Sequence, residues 1–239
     1  MLLIVCGSAS IAESASITSF SERNNFNTAV GATPLIVEDF TESSHYPIST
    51  GILNSQTNLD TLEEPIRPGD IEPGATYSTP VGTGSFFNII ASPEIPGIGG
   101  FTGGFLNSFS SSTDPDRTLT VDFDNNVSAF GFDTNSFMGD SFNLTINFAS
   151  RGSFVGNFLV NNSARDLQFF GFQSDATDIQ SINIDGIIAN DIGNSSYAFA
   201  VDNFTYTAVP EPFTAGAPVI AGCIGLWLKR KKRKGSQSV

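Results

Sequence analysis

Between residues 118 and 206 the chain alternates apolar and polar side chains with a period of two. Leu119, Val121 and Phe123 stand between Thr118, Thr120, Asp122 and Asp124, and Val127, Ala129 and Gly131 interleave with Phe130 and Phe132. Alternation of this kind sends successive side chains to opposite faces of a strand, one face dry and one wet. The same reading predicts strands over 142–149, 153–160, 167–172, 179–184 and 198–206. Six strands at roughly ten-residue spacing, joined by Asn- and Asp-rich turns, point to an antiparallel sandwich rather than to βαβ units.

The first half is less periodic. Leu35 to Phe40 reads as a strand, and residues 41–80, rich in Pro, Thr and acids, read as loops with weak strands near Ile48 to Leu53 and Ala75 to Ser78. The one helical candidate is short, Phe20 to Ala29, started by Ser21-Glu22-Arg23. The glycine-rich stretch from Gly97 to Gly104 lacks the Lys and the following helix of a phosphate loop, so it reads as a flexible connection or a bulged strand.

The pattern changes again after Ala208. Val209-Pro210-Glu211-Pro212 is followed by sixteen uncharged residues, Phe213 to Leu228, and then by Lys229-Arg230-Lys231-Lys232-Arg233-Lys234. Sixteen residues of helix span about 24 Å, short of the roughly 30 Å hydrocarbon core of a bilayer. A basic cluster directly after such a run is held on the cytoplasmic side and snorkels to cover the mismatch, so the tail is expected inside and the body outside. The two prolines remove backbone donors and keep the motif extended between strand and helix.

In this order of parts, residues 209–234 resemble the bacterial PEP-CTERM family, whose members end in Pro-Glu-Pro, a transmembrane helix and an Arg/Lys-rich tail. The resemblance implies export across the inner membrane and recognition near Pro210, Glu211 and Pro212 by an exosortase, a membrane-embedded cysteine protease. The body would then be released to, or displayed at, the cell surface. Residues 1–16 look like a secretory signal peptide that lacks its basic start, with Val5 where a lipidated Cys6 would need a small residue. The expected organisation is a signal peptide over 1–16, a sandwich ectodomain over 17–208, motif, helix and basic tail over 209–234, and a cytoplasmic end over 235–239.

Composition narrows the chemistry. Twenty-two Phe against one Trp and four Tyr suit a space between sheets filled by rings at alternate positions. Both cysteines, Cys6 and Cys223, lie in the apolar terminal segments, and the single His45 sits in a polar, loop-like stretch; a Cys/His zinc site is excluded and a His-dependent triad has little to work with. Residues 1–228 carry five Arg and no Lys against all 24 Asp and Glu, a net charge of −19. Such a body repels nucleic acid and anionic lipid, and favours cations or neutral polar ligands.

Two segments, Phe169-Phe170-Gly171-Phe172 with Ser174-Asp175 and Ala198-Phe199-Ala200-Val201-Asp202-Asn203-Phe204, resemble jelly-roll sandwiches of exported proteins, including carbohydrate-binding modules. In such modules an Asp on the last strand helps to hold a structural calcium, which makes Asp202 the first metal candidate. Oxygen ligands also cluster at Asp114-Pro115-Asp116 and Asp133-Thr134-Asn135, without the spacing of an EF-hand loop. Asp122 and Asp124, about 7 Å apart on one strand face, have the spacing of a glycosidase pair, but that face is where solvated Asp belongs. The expected fold is therefore an all-β, antiparallel, jelly-roll-like sandwich followed by a single C-terminal transmembrane helix. The expected function is that of a non-enzymatic exported protein of the cell surface or extracellular matrix; the alternative is a carbohydrate-binding sandwich with a polysaccharide partner and calcium as its cofactor. Tyr46, Tyr77, Tyr197 and Tyr206 are the stacking candidates that the alternative needs.

Overall fold

The computed structural model describes residues 16–40, 45–48, 52–60, 65–79, 86–91, 104–110, 118–134, 141–160, 167–187 and 196–208, with backbone alone at 45–48, 86–91, 104–105, 107–110, 186–187 and 196–200. All belong to the first of two compact units, Met1–Ala208 and Val209–Val239. The expected signal peptide, Pro210, Glu211, Pro212, the helix over 213–228, the basic residues 229–234 and the oxygen cluster at Asp114 and Asp116 lie outside the described residues. Among the described residues no helix is long and apolar enough to cross a membrane.

The elements in chain order are β1 (Ile17–Phe20), α1 (Arg23–Val30), β2 (Leu35–Glu38), β3 (His45–Ile48), β4 (Ile52–Leu53), β5 (Ala75–Ser78), β6 (Phe86–Ala91), β7 (Gly104–Ser110), β8 (Thr118–Val127), β9 (Ala129–Thr134), β10 (Ser141–Phe148), β11 (Gly152–Leu159), β12 (Gln168–Ser174), β13 (Ile179–Ile187) and β14 (Ser196–Thr207). They form two antiparallel sheets. One runs β1-β12-β9-β14-β7-β6-β3, with β2 also on β14; the other runs β11-β10-β13-β8-β5-β4. The fold is thus an all-β, two-sheet sandwich. It contains strands that the sequence reading passed over, β1, β3, β6 and β7, and it puts His45 in a strand, paired with Ile89, rather than in a loop. In β6, Phe86-Phe87-Asn88-Ile89-Ile90-Ala91 has no alternation to signal it; in β7 the strand begins at Gly104, the end of the glycine-rich stretch.

Alternation explains the core. Leu119, Val121 and Phe123 of β8, Leu144 and Ile146 of β10 and Ile182 and Ile184 of β13 point inward, toward Phe130, Phe132, Phe172, Val201 and Phe204 of the facing sheet. Phe204 lies at the centre, fully buried, with its ring about parallel to those of Phe130 and Phe132 and edge-on to Tyr77. Each such ring contributes roughly 1.5 to 3 kcal/mol by leaving water.

The short helix covers the other face of the larger sheet. Phe26 and Val30 pack on Ala129 and Phe169, and Gly131 and Gly171 lie in the sheet beneath Phe169 and Phe26. A Cβ on Gly171 would come within 2.7 Å of both Phe26 and Phe169, so glycine is required there by close approach. Within the strand expected over 167–172, Phe170 and Phe172 face the core while Phe169 and Gly171 face the helix.

Candidate functional site

The outward positions of the six-stranded sheet form ordered polar rows, because the period of two over 118–123 of β8, 141–147 of β10 and 181–185 of β13 brings like residues into register. One row crosses all six strands as Val155, Thr145, Asn183, Thr120, Ser78 and Ile52. A second reads Asn157, Asn143, Asp185 and Thr118, and a third reads Ser153, Asn147, Ser181, Asp122 and Thr76. Six strands are about 24 Å wide, and successive rows lie about 7 Å apart. The rows hold no Lys or Arg.

Cross-strand hydrogen bonds fix these side chains. Thr120 donates to Asn183 Oδ1 at 2.8 Å, Asn147 Nδ2 donates to Ser181 Oγ at 3.1 Å, and Asn157 Nδ2 donates to Asn143 Oδ1 at 3.0 Å. Each Asn and hydroxyl retains further hydrogen-bonding capacity toward solvent, so the face presents donors and acceptors already held in place. Such a surface suits a neutral polyhydroxylated ligand. Anions meet carboxylates there and no cation.

Asp122 and Asp124 are exposed on this side of β8. They stand on the face where solvated Asp belongs. The apolar border of the main row consists of Val155, 67% exposed, and Ile52, 51% exposed, at opposite edges of the sheet.

The second candidate lies on the opposite sheet, where β14 breaks its register between Asp202 and Thr205. Asn203 takes a left-handed backbone, φ 47°, which Asn tolerates better than most residues, and the bulge turns Asp202 toward its cross-strand partner Asp133. Arg23, from the start of α1, donates to Asp133 Oδ2 at 2.9 Å, to Thr205 Oγ1 at 2.9 Å and to the Asn203 carbonyl at 3.2 Å, and its guanidinium lies 4.5 Å over the Phe169 ring. Asn203 Nδ2 adds a bond to Asp133.

Asp202 is almost fully buried and accepts the Asn203 N–H at 2.6 Å. Burial first, then the charges of Asp133 and Asp39, push its carboxyl up to about 7, against the Asn203 N–H and Arg23. The metal expectation at Asp202 meets a cross-strand neighbour, Asp133, that is already bonded to Arg23. Among the described residues no group of three His, Cys, Asp or Glu is placed to hold a metal ion. Asn135 lies outside the described residues.

A third buried acid, Glu38, was not singled out by the sequence. Its carboxylate accepts the N–H of Phe40 at 2.9 Å and of Glu72 at 2.7 Å, which ties the end of β2 to the 71–73 segment and supports the left-handed Phe40, φ 48°. Burial pushes Glu38 up to about 7 as well. Beside it, Tyr206 donates to the Pro73 carbonyl at 2.7 Å, and the fully buried Tyr77 hydroxyl has no hydrogen-bond partner among the described residues. Tyr77 and Tyr206 are thus core residues, on inward positions of β5 and β14, and are not available to stack on a ligand. The side chains of Tyr46 and Tyr197 lie outside the described set.

No known protein family matches the sequence, and no curated protein matches it either. Among solved structures the chain is similar to a family 11 carbohydrate-binding module of the cellulosomal cellulase Lic26A-Cel5E of Clostridium thermocellum. The two share 14% identity with a TM-score of 0.32, over 66% of this chain and 96% of that one.

Proposed function

We propose that the protein is an exported, non-enzymatic β-sandwich that binds a neutral polysaccharide on the outer face of the six-stranded sheet. The observation that carries this reading is the in-register array of Thr145, Asn183, Thr120 and Ser78 with its flanking Asn143 and Asn147. A polysaccharide offers repeated hydroxyls along an extended chain, and a row of fixed amides and hydroxyls across several strands can meet them in sequence. With no aromatic platform in the rows, binding rests on hydrogen bonds and on the Val155 and Ile52 borders, so affinity per site is modest. The acidic body favours a neutral glycan over an anionic one.

Delivery is part of the same proposal. Pro210, Glu211 and Pro212, the apolar run after them and the basic residues 229–234 support export, a transient inner-membrane anchor and cleavage near the motif by an exosortase-type protease. The mature body would be left at the cell surface or outside the cell.

Affinity electrophoresis in gels containing neutral β-glucan, mannan or galactan tests the binding, with alginate as the anionic control. The wild type should be retarded by at least one neutral gel, and Thr145→Ala/Asn183→Ala/Thr120→Ala should lose that retardation while still unfolding cooperatively, at a lowered midpoint. Equal retardation of the triple variant, or retardation in alginate alone, refutes the face. The intact mass of the protein from its host tests delivery separately: it should end near residue 212, and a Pro210→Ala/Glu211→Ala/Pro212→Ala chain should retain Lys229 to Lys234.

A further inference from the structure

Among the described residues five strands have an unpaired edge, and four of them are poor templates for further pairing: β4 has two residues, β1 and β2 four each, and β3 four with Pro47 among them. The fifth, β11, is different. It has eight residues, holds all eight pairs with β10 without a register shift, and contains no charge and no proline. No strand among the described residues pairs with its outer edge. It also carries the two most exposed of the large apolar side chains, Val155 at 67% and Leu159 at 76%. Edges built this way are templates for another strand.

We propose that this edge pairs with β11 of a second copy of the chain, antiparallel, about a two-fold axis at Asn157. The sequence Val155-Gly156-Asn157-Phe158-Leu159 complements itself when reversed about its centre. Val155 of one copy then lies beside Leu159 of the other on the solvent face, twice, and Asn157 lies beside its counterpart. On the core side each Phe158 faces the second copy's Gly156. A Cβ on Gly156 would sit 2.8 Å from Phe158 and 3.1 Å from Phe154 of its own strand, so this position stays glycine and is covered by its own strand's two rings.

Charge selects the same partner. Residues 152–164 contain no charged side chain in a body of net charge −19. Most contacts between two copies bring carboxylates together, whereas this one joins two neutral stretches. One strand edge is well short of the about 1,600 Å² buried by a standard stable interface, so the dimer is weak and depends on concentration. This inference does not depend on glycan binding.

Cysteine cross-linking in the full-length chain, in a Cys6→Ser/Cys223→Ser background, reads the register directly. Residues opposite one another in an antiparallel pair have Cα atoms about 5 Å apart, within disulfide range, while an offset of four residues places them beyond it. Under mild oxidation Asn157→Cys should link to itself and Val155→Cys should not, while Val155→Cys mixed with Leu159→Cys should give a mixed dimer. In sedimentation velocity, Leu159→Lys should abolish the concentration-dependent dimer, and Ile52→Lys at the far edge of the same sheet should keep it. The proposal is overturned if the wild type stays monomeric at every concentration, if Val155→Cys links to itself as readily as Asn157→Cys, or if the Ile52→Lys chain loses the dimer equally.

Discussion

Replacing Asp202 by Asn should stabilise the protein at alkaline pH and change it little in acid. Burial and the neighbouring carboxylates raise the Asp202 carboxyl from 3.8 to about 7. That rise is roughly three units, and each unit corresponds to about 1.4 kcal/mol. Below about pH 4 the group is protonated whether the chain is folded or not, and it costs nothing. Between about pH 4 and 7 the unfolded chain has released a proton that the folded protein still holds, so stability falls as pH rises; above about 7 the full penalty of the buried charge is present, up to about 4 kcal/mol. Asn has nearly the same shape, keeps an oxygen to accept the Asn203 N–H and carries no charge. Urea denaturation of both proteins at about pH 4 and about pH 8 measures the difference, and the other carboxylates cancel in the comparison. The variant's advantage should grow by about 2 to 4 kcal/mol between the two conditions. An advantage that stays constant within about 0.5 kcal/mol would refute the reasoning, because the penalty would then not come from ionisation of Asp202. The pH dependence left in the variant should carry the same sign, since Glu38 is raised to about 7 by burial too. Repeating the alkaline measurement with calcium tests the metal expectation on the same side chain: a ligand role requires a calcium-dependent gain in the wild type that Asp202→Asn lacks.

Other consequences follow from the packing. Gly171→Ala, with a Cβ 2.7 Å from Phe26 and Phe169, should cost about 1 to 3 kcal/mol and should speed amide exchange in α1 more than in β13. Arg151→Ala should lower the denaturation midpoint more than Arg67→Ala. Arg151, in the β10–β11 hairpin turn, joins Ser174, Asp175 and the buried Asp178 of the segment that passes from β12 in one sheet to β13 in the other, while Arg67 pairs with the exposed Asp60. Tyr77→Phe should leave stability unchanged or raise it by up to about 1 kcal/mol in thermal and urea unfolding, because it removes a buried hydroxyl that has no partner among the described residues.

The resemblance of the comparison structure adds nothing to these expectations; they come from local geometry. How much of that geometry was legible beforehand differs along the chain. In β8, β10 and β13 the buried face could be read from Leu119-Thr120-Val121-Asp122-Phe123 and its equivalents, because one face is dry and the other wet, but the ends could not: β8 runs on to Val127 and β13 to Ile187. In β6 and β7 both signals fail: Phe86-Phe87 and Ile89-Ile90 are apolar on consecutive positions, and neither strand shows a clean period. In Phe169-Phe170-Gly171-Phe172 the strand is legible but the need for glycine is not, because it arises only from the helix that lies over Gly171.

Alternation alone, then, determined an all-β body, its antiparallel character and which residues of its later strands are core, since burial on one face leaves a period-two trace in a single strand. Net charge set the expectation of which ligand classes the body repels, because Coulomb repulsion needs no fold to add up. Tertiary structure decided everything that depends on register. Thr145, Asn183, Thr120 and Ser78 stand far apart in the chain and become one row only because β10, β13, β8 and β5 pair with particular offsets. Asp202 and Asp133 become neighbours, and Glu38 reaches the Glu72 amide, only because strands distant in sequence are brought side by side. Hydrophobic periodicity is a property of one strand; cross-strand chemistry is a property of two, and their relative shift is written in no single segment.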